Sequence, residues 1–181
     1  VDAGDRYIVD VMSDKGKKIL NATLENATDD DVKLMKKIKS EAENKIKLQF
    51  QFEVDKVKEK LNAIFDHIFW RSLSDSCLGC AVCTYLCPTC HCFDIVDEAK
   101  NSQGTRVRNW DSCMFSLFTQ QASGHNPRPT GKERVRQRLM HKFNYFVENY
   151  KEAACVGCGR CVINCPVNID IRDVLKKILI I

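Results

Sequence analysis

One pattern occurs twice in this chain: Cys77, Cys80, Cys83 and Cys87 followed by Pro88, then Cys155, Cys158, Cys161 and Cys165 followed by Pro166. Both copies read C-x2-C-x2-C-x3-C-P. Three cysteines at this spacing converge on one centre, and the fourth, set three residues on and before a proline, turns away from it. This is the bacterial run for 4Fe-4S clusters, in which the fourth thiolate of each copy ligates the other cluster. The spacing therefore predicts Cys77, Cys80, Cys83 and Cys165 on one cluster, and Cys155, Cys158, Cys161 and Cys87 on the other. Cross-ligation forces the two runs, far apart in sequence, to fold onto each other.

Paired C-x2-C units also hold zinc, and dense cysteine also signals disulfides. Zinc takes four ligands, usually as two separated C-x2-C pairs, whereas here three cysteines run in series with a fourth and a proline behind. Disulfides would have to bridge neighbours within a turn, and a chain rich in Lys and Glu without a signal peptide reads as cytoplasmic.

With 181 residues and 44% hydrophobic content, one core is affordable, with clusters acting as additional cross-links. The formal charge of +4 counts every thiol as neutral. Two oxidised cubanes with their thiolates carry roughly −2 each, which removes the basic bias, and no aromatic-interleaved Lys/Arg patch argues for nucleic acid. The longest aliphatic run, 178–181, is far below the roughly 18 residues of a membrane span.

Along the chain, residues 6–11 read as an edge strand, with Ser13 and Asp14 capping a short helix near 17–24. Asp29, Asp30 and Asp31 open a long, solvated helix reaching about Leu48. Val1 is not an initiator methionine, and residues 1–53 are expected to be the tail of a longer upstream domain. The second domain, 54–181, is expected to be mainly α-helical. Val54, Val57, Leu61, Ile64, Phe65, Ile68 and Phe69 form one helical stripe leading to Trp70; His67 lies off it and receives no role. Residues 104–111 read as a structured turn and 124–129 as a loop, where His125 is a weak candidate site. Thr130 and Glu133 form a capping box for a helix with the stripe Val135, Leu139, Phe143, Phe146, Val147 and Tyr150. Its cations Lys132, Arg134, Arg136, Arg138 and Lys142 read as a solvated face, with cluster tuning as the other reading. Asp170 caps a last helix, with Val174, Leu175, Ile178 and Leu179 facing inward.

Three cysteines remain: Cys90 and Cys92, flanking His91, and Cys113. They pack as small buried residues or form a third metal or redox site, for which His91 could be a ligand and a fourth ligand is otherwise missing.

The stretches Cys77-Leu78-Gly79-Cys80, Cys87-Pro88-Thr89-Cys90-His91-Cys92-Phe93-Asp94, Trp110-Asp111-Ser112-Cys113, Gly124-His125-Asn126 with Arg128-Pro129, and Cys155-Val156-Gly157-Cys158-Gly159-Arg160-Cys161 with Cys165-Pro166-Val167 together resemble the dicluster electron-transfer subunits of anaerobic redox complexes. These include the beta subunit of cytoplasmic nickel-iron sulfhydrogenases, the dicluster subunit of anaerobic sulfite reductase and heterodisulfide-reductase-associated iron-sulfur subunits. The resemblance covers residue 71 onward. It implies an α-helical ferredoxin-type dicluster fold with a short mixed N-terminal segment. It also implies a subunit that passes single electrons between a flavin subunit handling NAD(P)H or bifurcating electrons and a catalytic subunit of hydrogenase, sulfite reductase or heterodisulfide-reductase type. An upstream domain with its own cysteines would let Cys90, Cys92 and Cys113 join a third iron-sulfur cluster. Lys151 stands where the resemblance leads one to expect glycine. The alternative reading is a catalytic subunit whose cluster edge or thiol acts directly on a sulfur substrate. Complete four-cysteine ligation and the lack of a Cys-Cys pair argue against it.

Overall fold

The computed structural model describes residues 1–20, 24–47 and 52–181, which fall into two compact units, Val1–Gln51 and Phe52–Ile181.

In the first unit, α1 (Asp14–Ile19) begins where the Ser13 hydroxyl accepts from the Gly16 N–H at 3.2 Å. The helix expected at 17–24 thus starts earlier, and positions 21–23 lie outside the described residues. The edge strand expected at 6–11 does not form. Only an isolated bridge, Asp2 with Tyr7, is present, because a lone strand has no ladder to join. Along α2 (Asp29–Lys47), Thr28 and Asp31 cap reciprocally: Asp31 N–H donates to the Thr28 hydroxyl and Thr28 N–H to the Asp31 carboxylate. Asp31, Val32, Met35 and Ile38 are half-buried and the rest of 29–46 is exposed, as a solvated helix requires; Leu48 lies outside the described residues.

The second unit opens with α3 (Val54–Ala63), which buries Val57 and Leu61. The single stripe expected from Val54 to Phe69 breaks here. Phe65 and Ile68 are exposed, and a new helix, α4 (Phe69–Asp75), starts with its Phe69 N–H donated to His67 Nδ1 at 3.2 Å. A helix end leaves carbonyls without partners, and the buried Trp70 indole supplies one by donating to Ile64 O at 2.8 Å. His67, given no role from sequence, is a capping acceptor.

A two-stranded antiparallel hairpin, β1 (Phe93–Lys100) and β2 (Gln103–Trp110), follows the short helix α5 (Val82–Tyr85). Residues 104–111, expected to be a turn, are therefore mostly strand. Asn101 at φ 58° supplies the left-handed residue that a two-residue hairpin connection requires. Both strands are largely exposed, so neither carried the in-out alternation by which a strand is read from sequence.

The helix α6 (Gly131–Met140) has its capping box, Thr130 N–H and hydroxyl donating to the Glu133 carboxylate. Thr130→Ala should cost about 1 kcal/mol, read as a lower denaturation midpoint with unchanged cluster content. At Gly131 a Cβ would fall against the Ser74 hydroxyl, so α6 starts directly on α4. A π turn, His141–Tyr145, joins α6 to α7 (Phe146–Tyr150). Lys142, Phe143 and Asn144 are buried there, as are Arg138, Leu139 and Met140 at the end of α6. Of the predicted stripe, Val135, Leu139, Phe143 and Val147 are buried, whereas Tyr150 is exposed. Lys151 takes φ 61°, the left-handed region that explains the expectation of glycine at that position.

After α8 (Arg160–Ile163), the last helix is α9 (Ile171–Ile180), whose first turn is capped by the Asp170 carboxylate accepting from Arg172 N–H at 2.8 Å. It buries Val174, Leu175 and Ile178. The core forms where α3 meets the π turn and α9, and where α4 meets α6.

Candidate metal centre

The two cysteine runs fold alike, position for position. Gly79 and Gly157, each just before the second cysteine, share φ 67°. Ala81 and Gly159, each just after it, are both left-handed, at φ 63° and 74°. They open α5 and α8, which carry Cys83 and Cys161. The matching bonds Cys87 N–H to Thr84 O and Cys165 N–H to Val162 O are both 3.3 Å. Cys90 N–H to Cys87 O and Asn168 N–H to Cys165 O follow at 3.2 and 3.1 Å. Two left-handed residues bend each run at the same positions, and α5 packs against α8. All eleven cysteines are free thiols.

This packing brings cysteines of both runs around one mostly apolar cavity. Cys77, Cys80 and Cys83 of the first run line it together with Cys161 and Cys165 of the second, walled by Leu73, Met114, Val135, Leu139 and Val174. Burial pushes the Cys83 thiol up, against the pull of Arg138. Cys165 Sγ accepts from Ile169 N–H at 3.2 Å and Cys77 Sγ from Gly79 N–H at 3.4 Å. Backbone donors of this kind stabilise sulfur that bears negative charge.

Cys87 lies elsewhere. Its sulfur accepts from Lys142 Nζ at 3.1 Å and is 3.1 Å from Thr89 Oγ1. Lys142 Nζ and the Thr89 hydroxyl both donate to Ala154 O, at 3.0 and 2.7 Å, and Ala154 N–H returns a bond to Lys142 O at 2.8 Å. Ala154 immediately precedes Cys155, so Cys87 is tied to the entrance of the second run. A hydrogen bond from Cys90, reinforced by Thr89 and Lys142, holds the Cys87 thiol down to about 3, and the same bond pushes Cys90 up. Cys155 and Cys161 are half-buried, and Cys158, like Cys80, is exposed.

Two of the cations expected on a solvated face are buried: Arg138 and Lys142. None of the five is exposed. Arg136 reaches back to Phe65 O and Asp66 at 2.9 and 3.1 Å, and Arg134 donates to Arg128 O and Pro129 O at 3.3 and 3.1 Å. Arg138 lines the cavity of the first run, its Nε without a partner. A buried guanidinium short of an acceptor costs several kcal/mol unless an anion stands nearby. The thiol-rich wall, the apolar surround and this unfilled donor together fit an anionic iron-sulfur cluster. Among the described residues, no three His, Cys, Asp or Glu side chains converge on a single ion position; a cubane spreads its thiolates over four irons.

The remaining cysteines gather near the hairpin. Asp111 N–H donates to Cys92 O at 3.0 Å, closing the hairpin base and setting Cys92 beside Cys113. Cys113 is buried, and its thiol donates to Cys92, drawing the Cys92 thiol down to about 6. Cys90 and Cys92 line a cavity of about 260 Å³ with Tyr85, Trp110 and Asp111. His91 is exposed, its ring edge-on to His141 at 5.4 Å. Nearby, Thr84, in the first run, shares a 2.7 Å bond with the buried Ser112 hydroxyl, which also accepts from Met114 N–H at 3.1 Å. The loop carrying His125 is held by Asn126, which accepts from Thr119 Oγ1 and donates to Ser116 O, both at 2.7 Å, so its residues brace a loop. Sequence reasoning missed Thr84, Thr89 and Ser112, because single hydroxyl residues carry no periodic signal.

A family model described as "4Fe-4S dicluster domain" matches residues 76–169. The chain is also 33% identical over 184 residues to sulfhydrogenase 2 subunit beta of Pyrococcus furiosus, an alignment covering 96% of this chain and 52% of that protein. The chain thus spans about half the length of the curated relative it matches. No solved structure matches it. With the family come two 4Fe-4S clusters, and the chain belongs to the 4Fe-4S dicluster domain family.

Proposed function

We propose that this chain is an electron-transfer subunit of an anaerobic, cytoplasmic oxidoreductase complex. In this reading Cys77, Cys80, Cys83 and Cys165 hold one cluster and Cys155, Cys158, Cys161 and Cys87 the other, in an α-helical ferredoxin-type core. The observation that carries it is the shared cavity, where Cys165 of the second run stands with the first three cysteines of the first. The anchoring of Cys87 beside Ala154 supports the reciprocal assignment.

Each cluster supplies a one-electron site. The chain's part is to hold both close through the α5 to α8 contact, keep water out with the apolar wall, and donate hydrogen bonds to the thiolates. The exposed Cys80 and Cys158 leave one edge of each site open to partners. Those partners are a flavin subunit that handles NAD(P)H or bifurcates electrons, and a catalytic subunit. The named relative, a sulfhydrogenase subunit, favours hydrogenase over sulfite-reductase or heterodisulfide-reductase chemistry at the far end. Cys90, Cys92 and Cys113 are the candidate third site, completed by a ligand from another domain; about twelve irons per full-length chain instead of about eight would establish it.

The experiment is reconstitution. The chain alone should show no turnover with hydrogen, sulfite or disulfides, yet restore nicotinamide-coupled activity when added to its partner subunits. Turnover by the chain alone would favour the second reading, a thiol acting directly on a sulfur substrate. The observation behind that reading is the lowered thiol of Cys92 on its cavity.

A further inference from the structure

Arg138 and Lys142 are four residues apart and both buried, one on α6 and one on the π turn. Among the described residues, the groups they interact with are thiols, a hydroxyl, a carbonyl and each other, not carboxylates. The two differ in what they face. Arg138 stands against Cys83 and Cys161, the equivalent third cysteines of the two copies, and its Nε remains unpartnered on the cavity wall. It therefore lies where the two sites adjoin. Lys142 instead donates to Cys87 Sγ, Thr89 Oγ1 and Ala154 O and lies beside the Cys90 thiol. The π turn buries Lys142 beside Phe143 and Asn144.

We propose that Arg138 is a counter-charge shared by both clusters and that Lys142 serves one cluster alone, the one ligated by Cys87, so that the pair raises and separates the two reduction potentials. The proposal rests on the two-cluster ligand reading. Each added electron makes a cluster more negative, and a fixed cation in low-dielectric surroundings favours that reduced form. Removing the cation must lower the potential. The sign is fixed by charge alone, and the pattern, two clusters against one, is fixed by position.

The test is a potentiometric titration followed by EPR on the anaerobic, cluster-loaded chain and its variants, with iron content measured in each. Arg138→Gln should lower both midpoint potentials, while Arg138→Lys, which keeps the charge, should stay close to wild type. Lys142→Gln should lower only one, belonging to the signal that Cys87→Ser removes. Fully loaded Arg138→Gln with both midpoints unchanged, or only one moved, overturns the proposal, as does a shift of both in Lys142→Gln. If Arg138→Gln does not load, Arg138→Lys decides. Loading with wild-type-like midpoints supports a role for charge, and failure to load in that variant too shows that the guanidinium acts only as a scaffold. An iron count in the wild type below two clusters sinks the ligand reading itself, and is told apart by that count before any titration.

Discussion

Cys165→Ser is expected to remove the cluster of the first run, 78 positions or more upstream for each of its cysteines, and to leave the cluster of the second run largely intact. Iron should fall from about eight to about four per chain, with the magnetic interaction between clusters lost and one simple EPR signal left. The reason is spatial: Cys165 shares its cavity with Cys77, Cys80 and Cys83, although it belongs by sequence to the other run. Cys87→Ser should show the mirror image, because Lys142 and Thr89 fasten Cys87 to Ala154 at the mouth of the second run. Loss of only the second run's cluster in Cys165→Ser would mean that each run ligates its own cubane.

Trp70→Ala should be the most damaging core substitution. Trp70 is fully buried, packs edge-on to Phe69 at 5.3 Å, and its indole satisfies the Ile64 carbonyl at the broken end of α3. Removing it opens a large cavity and takes away one of the two donors to that carbonyl, which keeps the His67 N–H at 3.0 Å, a loss of about 3–5 kcal/mol. Guanidinium titrations under anaerobic conditions, followed by far-ultraviolet circular dichroism and by cluster bleaching, should show both transitions moving together to lower denaturant. Bleaching that moves alone would place Trp70 at the cluster and not in the core.

Much of this was legible because cluster ligation is a strict spacing code and amphipathic helices a periodic one. The two runs, the α6 capping box, the Asp170 cap and the inward face of α9 all follow from such patterns. What escaped was what tertiary contacts decide. The stripe from Val54 to Phe69 continues on paper, but the chain breaks after Ala63, where the Trp70 indole and the His67 ring take over the hydrogen bonding. The hairpin of 93–110 was hidden because an exposed ribbon has no buried face to imprint alternation. Arg138 and Lys142 read as solvent-facing because cations usually are. Burial became tolerable only where thiol-lined sites stood beside them, and a one-dimensional reading cannot place a cluster beside a helix. Lys151 is the reverse case, since the left-handed turn expected from a glycine is present without the glycine.

The most direct test of the two-cluster relay is anaerobic quantitation of iron and acid-labile sulfide, combined with EPR of the dithionite-reduced chain. About eight irons with matching sulfide, and a spectrum from two interacting clusters, is the predicted result. Zinc without sulfide would contradict it.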